Sequence, residues 1–119
     1  MYYLGIDLGG TNIKAGIINA DTYDIVCKAS DKTPKGEEKI ADKAAQLVNE
    51  LLIKSNISLD DIPFIGMGVP GTVDLKTGII EKAENLDFFE VDMKSLMASR
   101  INKPFYFDND ANAAAFGEA

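Results

Sequence analysis

The sequence predicts an α/β domain built on a mixed five-stranded sheet, a three-strand antiparallel meander plus two parallel strands, with helices packed on it. Three observations carry that prediction. Residues 2–29 hold three short β-forming runs separated by turn residues. Residues 37–55 carry apolar side chains at helical spacing. Two further apolar runs, at 64–69 and 105–107, each follow a helical pattern.

Tyr2, Tyr3, Leu4 and Ile6 are β-formers in an apolar run, which predicts a strand partly buried on both faces. Gly9-Gly10 turns the chain, and Ile13, Ala15, Ile17 and Ile18 resume the β pattern, so the first two strands form a hairpin. Turn residues at 19–24 lead into a third strand at 25–29, and Pro34 and Gly36 mark a polar loop. From 37 to 55, Ile40, Ala41, Ala44, Leu47, Val48, Leu51 and Leu52 share one helical face, with Glu38, Lys39, Asp42, Lys43, Gln46 and Asn49 on the other. This long amphipathic helix is expected to cover the sheet. A strand at 64–69 follows it, and a helix between two strands favours a parallel crossover. Residues 72–75 and 79–81 flank Lys76-Thr77-Gly78 as a small hairpin, with Gly78 supplying positive φ. A short helix is expected over 91–101, with Asp92 near its N-terminus, then a strand at 105–107 and the start of an Ala-rich helix at 110–119.

With 119 residues and 46% hydrophobic content, the chain is one domain's worth, long enough for a sizeable core. Its 12 basic and 19 acidic residues give a net charge of −7 with no histidine, which opposes general attraction to nucleic acid or anionic lipid. Phosphate must therefore be held locally, by backbone and metal. One cysteine, Cys27, rules out an internal disulfide and points to a reducing, cytoplasmic setting; its apolar strand context reads as a buried structural thiol. No apolar stretch approaches the roughly 18 residues of a membrane span, and no basic segment followed by an apolar run opens the chain.

Three segments carry chemistry. In the first, Asp7-Leu8-Gly9-Gly10-Thr11-Asn12, a carboxylate at a strand end needs a cation to offset its desolvation. Gly9 and Gly10 permit φ > 0 and close approach of backbone N–H groups to an anion. Thr11 and Asn12 add side-chain donors, and Lys14 adds a nearby positive charge. This is neither a dinucleotide fingerprint nor a P-loop, and taken alone it reads equally well as a tight hairpin turn. The second segment is Gly66-Met67-Gly68-Val69-Pro70-Gly71-Thr72, a glycine-bearing strand ending in a sharp turn. Ligands of open α/β sheets bind beyond such strand ends, although glycines for helix-on-sheet packing explain it equally well by itself. In the third, Asn109-Asp110 falls between a strand and a helix, where either residue can cap the helix. An Asn-Asp pair beside small Ala113, Ala114 and Ala115 also suits vicinal hydroxyls, with Asp110 accepting a proton from one of them.

Together these segments resemble the ROK family of sugar kinases, glucokinase-like enzymes and their repressor relatives in the actin-like ATPase superfamily. The resemblance spans residues 2–119 and rests on Asp-Leu-Gly-Gly-Thr-Asn at 7–12, Gly-Val-Pro-Gly at 68–71, Asn85-Leu86 and Asn-Asp-Ala-Asn-Ala-Ala-Ala at 109–115. Each motif is weak alone, and their order and spacing are specific together. The resemblance implies a ribonuclease H-like, actin-like lobe, with residues 1–119 forming the N-terminal small lobe of a longer kinase. It implies that Asp7, Gly9, Gly10, Thr11, Asn12 and Lys14 face ATP, with Asp7 near Mg²⁺ through water. It further implies Asp110 as general base, Asn109 as a sugar ligand, and Gly71, Thr72, Glu84 and Asn85 beside the sugar. Phe88 or Phe89 stands where relatives commonly carry tryptophan.

The C-terminal lobe, with the adenosine site and the Cys/His zinc motif many relatives carry, is expected outside this chain. The isolated lobe is accordingly expected to be inactive and prone to self-association, and the whole kinase to be a cytoplasmic homodimer. The alternative within the family is the sugar-sensing lobe of a transcriptional repressor. Repressors normally place a DNA-binding helix-turn-helix before the first strand, whereas the first strand here is expected at residue 1 or 2.

Overall fold

The computed structural model describes residues 1–108. Two sheets and two α-helices make up the described chain. Strands β1 (Tyr2–Leu8), β2 (Asn12–Asn19) and β3 (Ile25–Lys32) form the expected antiparallel meander. Helix α1 (Glu37–Ser55) then crosses over to β4 (Ile65–Gly68), which pairs parallel with β1. The last described strand, β8 (Phe105–Asp108), pairs parallel with β4, and the five-stranded order is β3-β2-β1-β4-β8.

Alternation along the strands sorts the residues between two faces. Leu4, Ile6 and Leu8 lie in register with Ile17, Ala15 and Ile13, and all six are buried. Ile65, Met67, Phe105 and Phe107 extend this face, and Ile40, Ala41, Ala44, Leu47, Val48 and Leu51 of α1 belong to the same core cluster. The helix ends in a Schellman-type turn. Asn56 adopts φ 57°, its N–H reaches the Ile53 carbonyl at 3.2 Å, and the Ile57 N–H reaches the Leu52 carbonyl at 3.2 Å. Cys27 is half-buried rather than buried, its thiol 3.7 Å from the Leu51 carbonyl oxygen. The other face carries Tyr3, Phe64 and Tyr106, with ring centroids 5.7 Å and 5.3 Å apart in successive pairs.

The second sheet goes beyond the expected hairpin. Strands β5 (Thr72–Val73) and β6 (Ile79–Ala83) flank the turn at Gly78, and β7 (Phe88–Asp92) adds a third strand on β6. Val91 therefore belongs to a strand. Helix α2 (Met93–Ala98) starts two residues later than its expected start, capped by Asp92, whose Oδ1 accepts from the Ser95 N–H at 3.1 Å. Met93 and Met97 bury the inner side of α2. Beyond it, Arg100 donates to Asp42 at 2.7 Å and to Glu38 at 2.8 Å, clasping α1 to the segment that leads into β8. The predicted helix over 110–119 lies outside the described residues.

Candidate active site

The first two chemistry-bearing segments leave one end of the five-stranded sheet, the end at which β8 also finishes. Because β1, β4 and β8 run parallel, their carboxyl ends coincide. Asp7 is the register partner of Gly68, and Gly68 is the register partner of Asp108. The Val69 N–H donates to the Asp108 carbonyl at 2.9 Å, tying the second segment to the strand that runs into the third. Asn109 and Asp110 themselves lie outside the described residues.

The first turn is shaped by close backbone approach. The Gly9 N–H donates to the Asn12 carbonyl at 3.0 Å, and a Cβ at Gly9 would sit 2.7 Å from that same oxygen. Glycine is therefore required at position 9 for space. The expected positive φ is not used here: among the described glycines it occurs at Gly36, Gly71 and Gly78. Gly10, Thr11 and Asn12 are exposed. Asp7 is half-buried and shares its sheet face with its antiparallel partner Lys14, which is exposed. Opposite charges at such facing positions favour each other.

Thr33 was not singled out by the sequence, yet it holds this turn. Its hydroxyl donates to the Gly9 carbonyl at 2.7 Å and its N–H donates to the Thr11 carbonyl at 2.9 Å. Nothing local signals this role, since the contact spans 24 positions in the sequence.

Two clefts flank the sheet end. One, of about 260 Å³, runs between Gly10, the 33–37 loop and Leu86, Asp87 and Phe88. The other, of about 300 Å³, is lined by Pro70, Gly71, Thr72, Lys82, Ala83 and Glu84. Gly71 has φ 84°, and a Cβ there would collide with the Lys82 carbonyl oxygen, so only glycine fits. Glu84 opens a short 3₁₀ turn, Glu84–Leu86, and lies 3.2 Å from Lys82 Nζ in an exposed ion pair. The structure thus gathers Gly71, Thr72 and Glu84 in one cleft and sets Gly10 at the other, with residues 84–88 running between. Asn85 contributes backbone to that turn. Of the two phenylalanines, Phe88 is buried at 5% exposure and lines the Gly10 cleft, whereas Phe89 is 77% exposed.

Among the described residues no three His, Cys, Asp or Glu side chains cluster as a metal cage. Mg²⁺ needs no such cage, since it keeps several waters and takes one or two carboxylates together with substrate phosphates, a donor set with which the half-buried carboxylate of Asp7 is compatible. No described helix is long and apolar enough to cross a membrane.

Residues 3–119 match the model of the ROK family. The chain is 34% identical to a glucokinase of Halalkalibacterium halodurans over 98% of its own length and 36% of that enzyme's. It is 33% identical to the xylose repressor of Caldicellulosiruptor bescii, over 97% of this chain and 29% of the repressor. In three dimensions it is similar to a ROK family glucokinase from Streptomyces griseus in complex with glucose and AMPPNP, with a TM-score of 0.82 and 30% identity, covering 99% of this chain and 36% of that one. The chain spans about a third of the length of these relatives.

Proposed function

The chain belongs to the ROK family, and from that premise we propose that it is the N-terminal lobe of an ATP-dependent hexose kinase. One observation carries the reading: Asp7, Gly68 and Asp108 stand in one register row at the carboxyl edge of three parallel strands. The phosphate turn and the Gly68–Gly71 turn therefore leave the sheet beside the end of β8, where α/β sheets take their ligands, and Asn109-Asp110 follow Asp108 directly in the sequence.

In this reading the γ-phosphoryl of ATP passes in line to a sugar hydroxyl. Asn109, Gly71, Thr72, Glu84 and Asn85 orient the sugar. Asp110 accepts the hydroxyl proton as the oxygen attacks phosphorus and the bond to ADP breaks. Gly9, Gly10, Thr11, Asn12 and Lys14 hold the phosphates by backbone N–H groups, side-chain donors and charge. Asp7 holds Mg²⁺ through water; when bound, the ion offsets charge on the phosphate oxygens. A structural zinc, where the whole protein has one, belongs to its C-terminal lobe. The small molecules bound are ATP and a sugar, with no role for nucleic acid or membrane, and the whole protein works as a cytoplasmic homodimer. The 119-residue lobe by itself does not turn over, because one lobe offers one wall of the cleft.

The test is hexose-dependent ADP release by the complete polypeptide carrying this lobe, across a panel of hexoses and N-acylated hexosamines. Asp110→Asn is expected to lower turnover by about 10²- to 10⁴-fold with an unchanged circular dichroism spectrum. Near-parental turnover by that variant would sink the base assignment. A second reading, the sugar-sensing lobe of a repressor, is supported by the likeness to the xylose repressor. It predicts sugar binding with no ATP consumption, so the same assay separates the two.

A further inference from the structure

We propose that Thr33 is a positioning residue for the phosphate turn, fixing which way its peptide N–H groups point. The inference rests on the kinase reading of that turn and adds to it a residue from outside the motif.

The geometry is that of two peptide planes. In a trans peptide the C=O and the following N–H point in opposite directions, and the described chain has no cis bond. Thr33 Oγ1 takes the Gly9 carbonyl at 2.7 Å, and the Thr33 N–H takes the Thr11 carbonyl at 2.9 Å. The Gly10 and Asn12 N–H groups, on the far sides of those planes, are thereby turned away from Thr33. Gly9 and Gly10 have no side chains to restrain their peptide, so without an outside partner the Gly9–Gly10 plane is free to rotate. Thr33 is half-buried at the start of the 33–37 loop, and Pro34 fixes the φ of the next residue. The loop thus presents a hydroxyl and an N–H to the same turn. The N–H bond belongs to the backbone and survives any substitution except proline; the hydroxyl bond depends on the side chain.

Thr33→Val keeps the shape and removes only the hydroxyl, and Thr33→Ser restores it. In the complete kinase, Thr33→Val is expected to raise the KM for ATP by roughly 3- to 10-fold, as one part-buried hydrogen bond should, with the hexose KM unchanged. Thr33→Ser should restore the parental ATP KM. An unchanged ATP KM in the valine variant, a serine variant as impaired as the valine one, or a hexose KM rising in step with that for ATP would each overturn the proposal. A parent that consumes no ATP with any sugar overturns the kinase reading itself. The tether is then judged by amide hydrogen exchange. Thr33→Val must speed exchange of the Gly9 N–H by roughly 3- to 10-fold while leaving the Ile6 N–H unchanged, and equal Gly9 exchange in parent and variant would end the claim that Thr33 holds the turn.

Discussion

Asp7 of β1 and Gly68 of β4 are register partners, so the carboxylate at one strand end stands beside a residue with no side chain. On its other flank the partner is Lys14. Asp7 thus stands in its register row between a lysine and a glycine, at the edge from which the proposed phosphate turn departs.

Asp7→Asn keeps the size and removes the charge. In the complete kinase it is expected to lower kcat by roughly 10²- to 10³-fold, the scale of losing one preorganised electrostatic group, with the melting temperature little changed. Steady-state kinetics with calorimetry check this; full activity would remove Asp7 from the phosphate machinery.

Gly71→Ala tests the sugar-side cleft. The residue must hold φ 84° while its new methyl meets the Lys82 carbonyl oxygen. Strain of this kind costs about 1–3 kcal/mol, so urea denaturation of the 119-residue chain should show a loss of that order. The hexose KM of the complete kinase should rise while the ATP KM stays put. A rise confined to ATP would mean that Gly71 serves the nucleotide.

Leu51→Ala tests the helix-on-sheet core. Leu51 is fully buried on the inner face of α1. Truncation should cost about 2–5 kcal/mol through lost burial and the cavity left behind, read as a lower denaturation midpoint. A change within error would mean that α1 does not pack on the sheet as described.

Acid should weaken the fold through two carboxylates. The Lys43 ammonium at 2.8 Å, and then the Lys32 backbone N–H, hold Asp31 below the usual carboxylate range. The N–H groups of Thr77 and then Lys76 do the same for Asp74. With the folded value below the unfolded one, about 4, the stabilisation is complete above that pH and is lost as pH falls through the lower folded values. The melting temperature should therefore drop below about pH 4. In an Asp31→Asn, Asp74→Asn double variant the acid limb should be shallower, and identical limbs by scanning calorimetry would refute the assignment. Both groups are exposed, so the effect is small.

How much of this was legible depends on the range of the interaction. Helix α1 was readable to its ends because its apolar positions recur every three or four residues over five turns, and polar residues fill the gaps. The meander and both parallel strands were readable from apolar runs bounded by turn residues. Strand β7 was not, because it opens after Asp87 at φ 55° and contains Glu90 at φ 52°, left-handed positions with no glycine to announce them. Its exposed Phe89 also breaks the alternation a reader would seek. The Asp7 turn and Gly71 were legible from local glycines. Thr33 was not, since its partners lie 22 and 24 residues upstream. Asn109 and Asp110 were named from sequence and lie beyond the described residues.

The division into two sheets has a consequence for how this lobe fails. The phosphate turn is anchored in the five-stranded sheet, whereas Thr72 and the approach to Glu84 belong to the three-stranded one. Gly71 sits on the chain's crossing between them. Ile80, Phe88 and Val91 of the small sheet nevertheless lie in the same buried cluster as Leu4, Ile6 and Met67 of the large one, so mild denaturant should unfold both walls of the cleft together, in one cooperative step across that glycine.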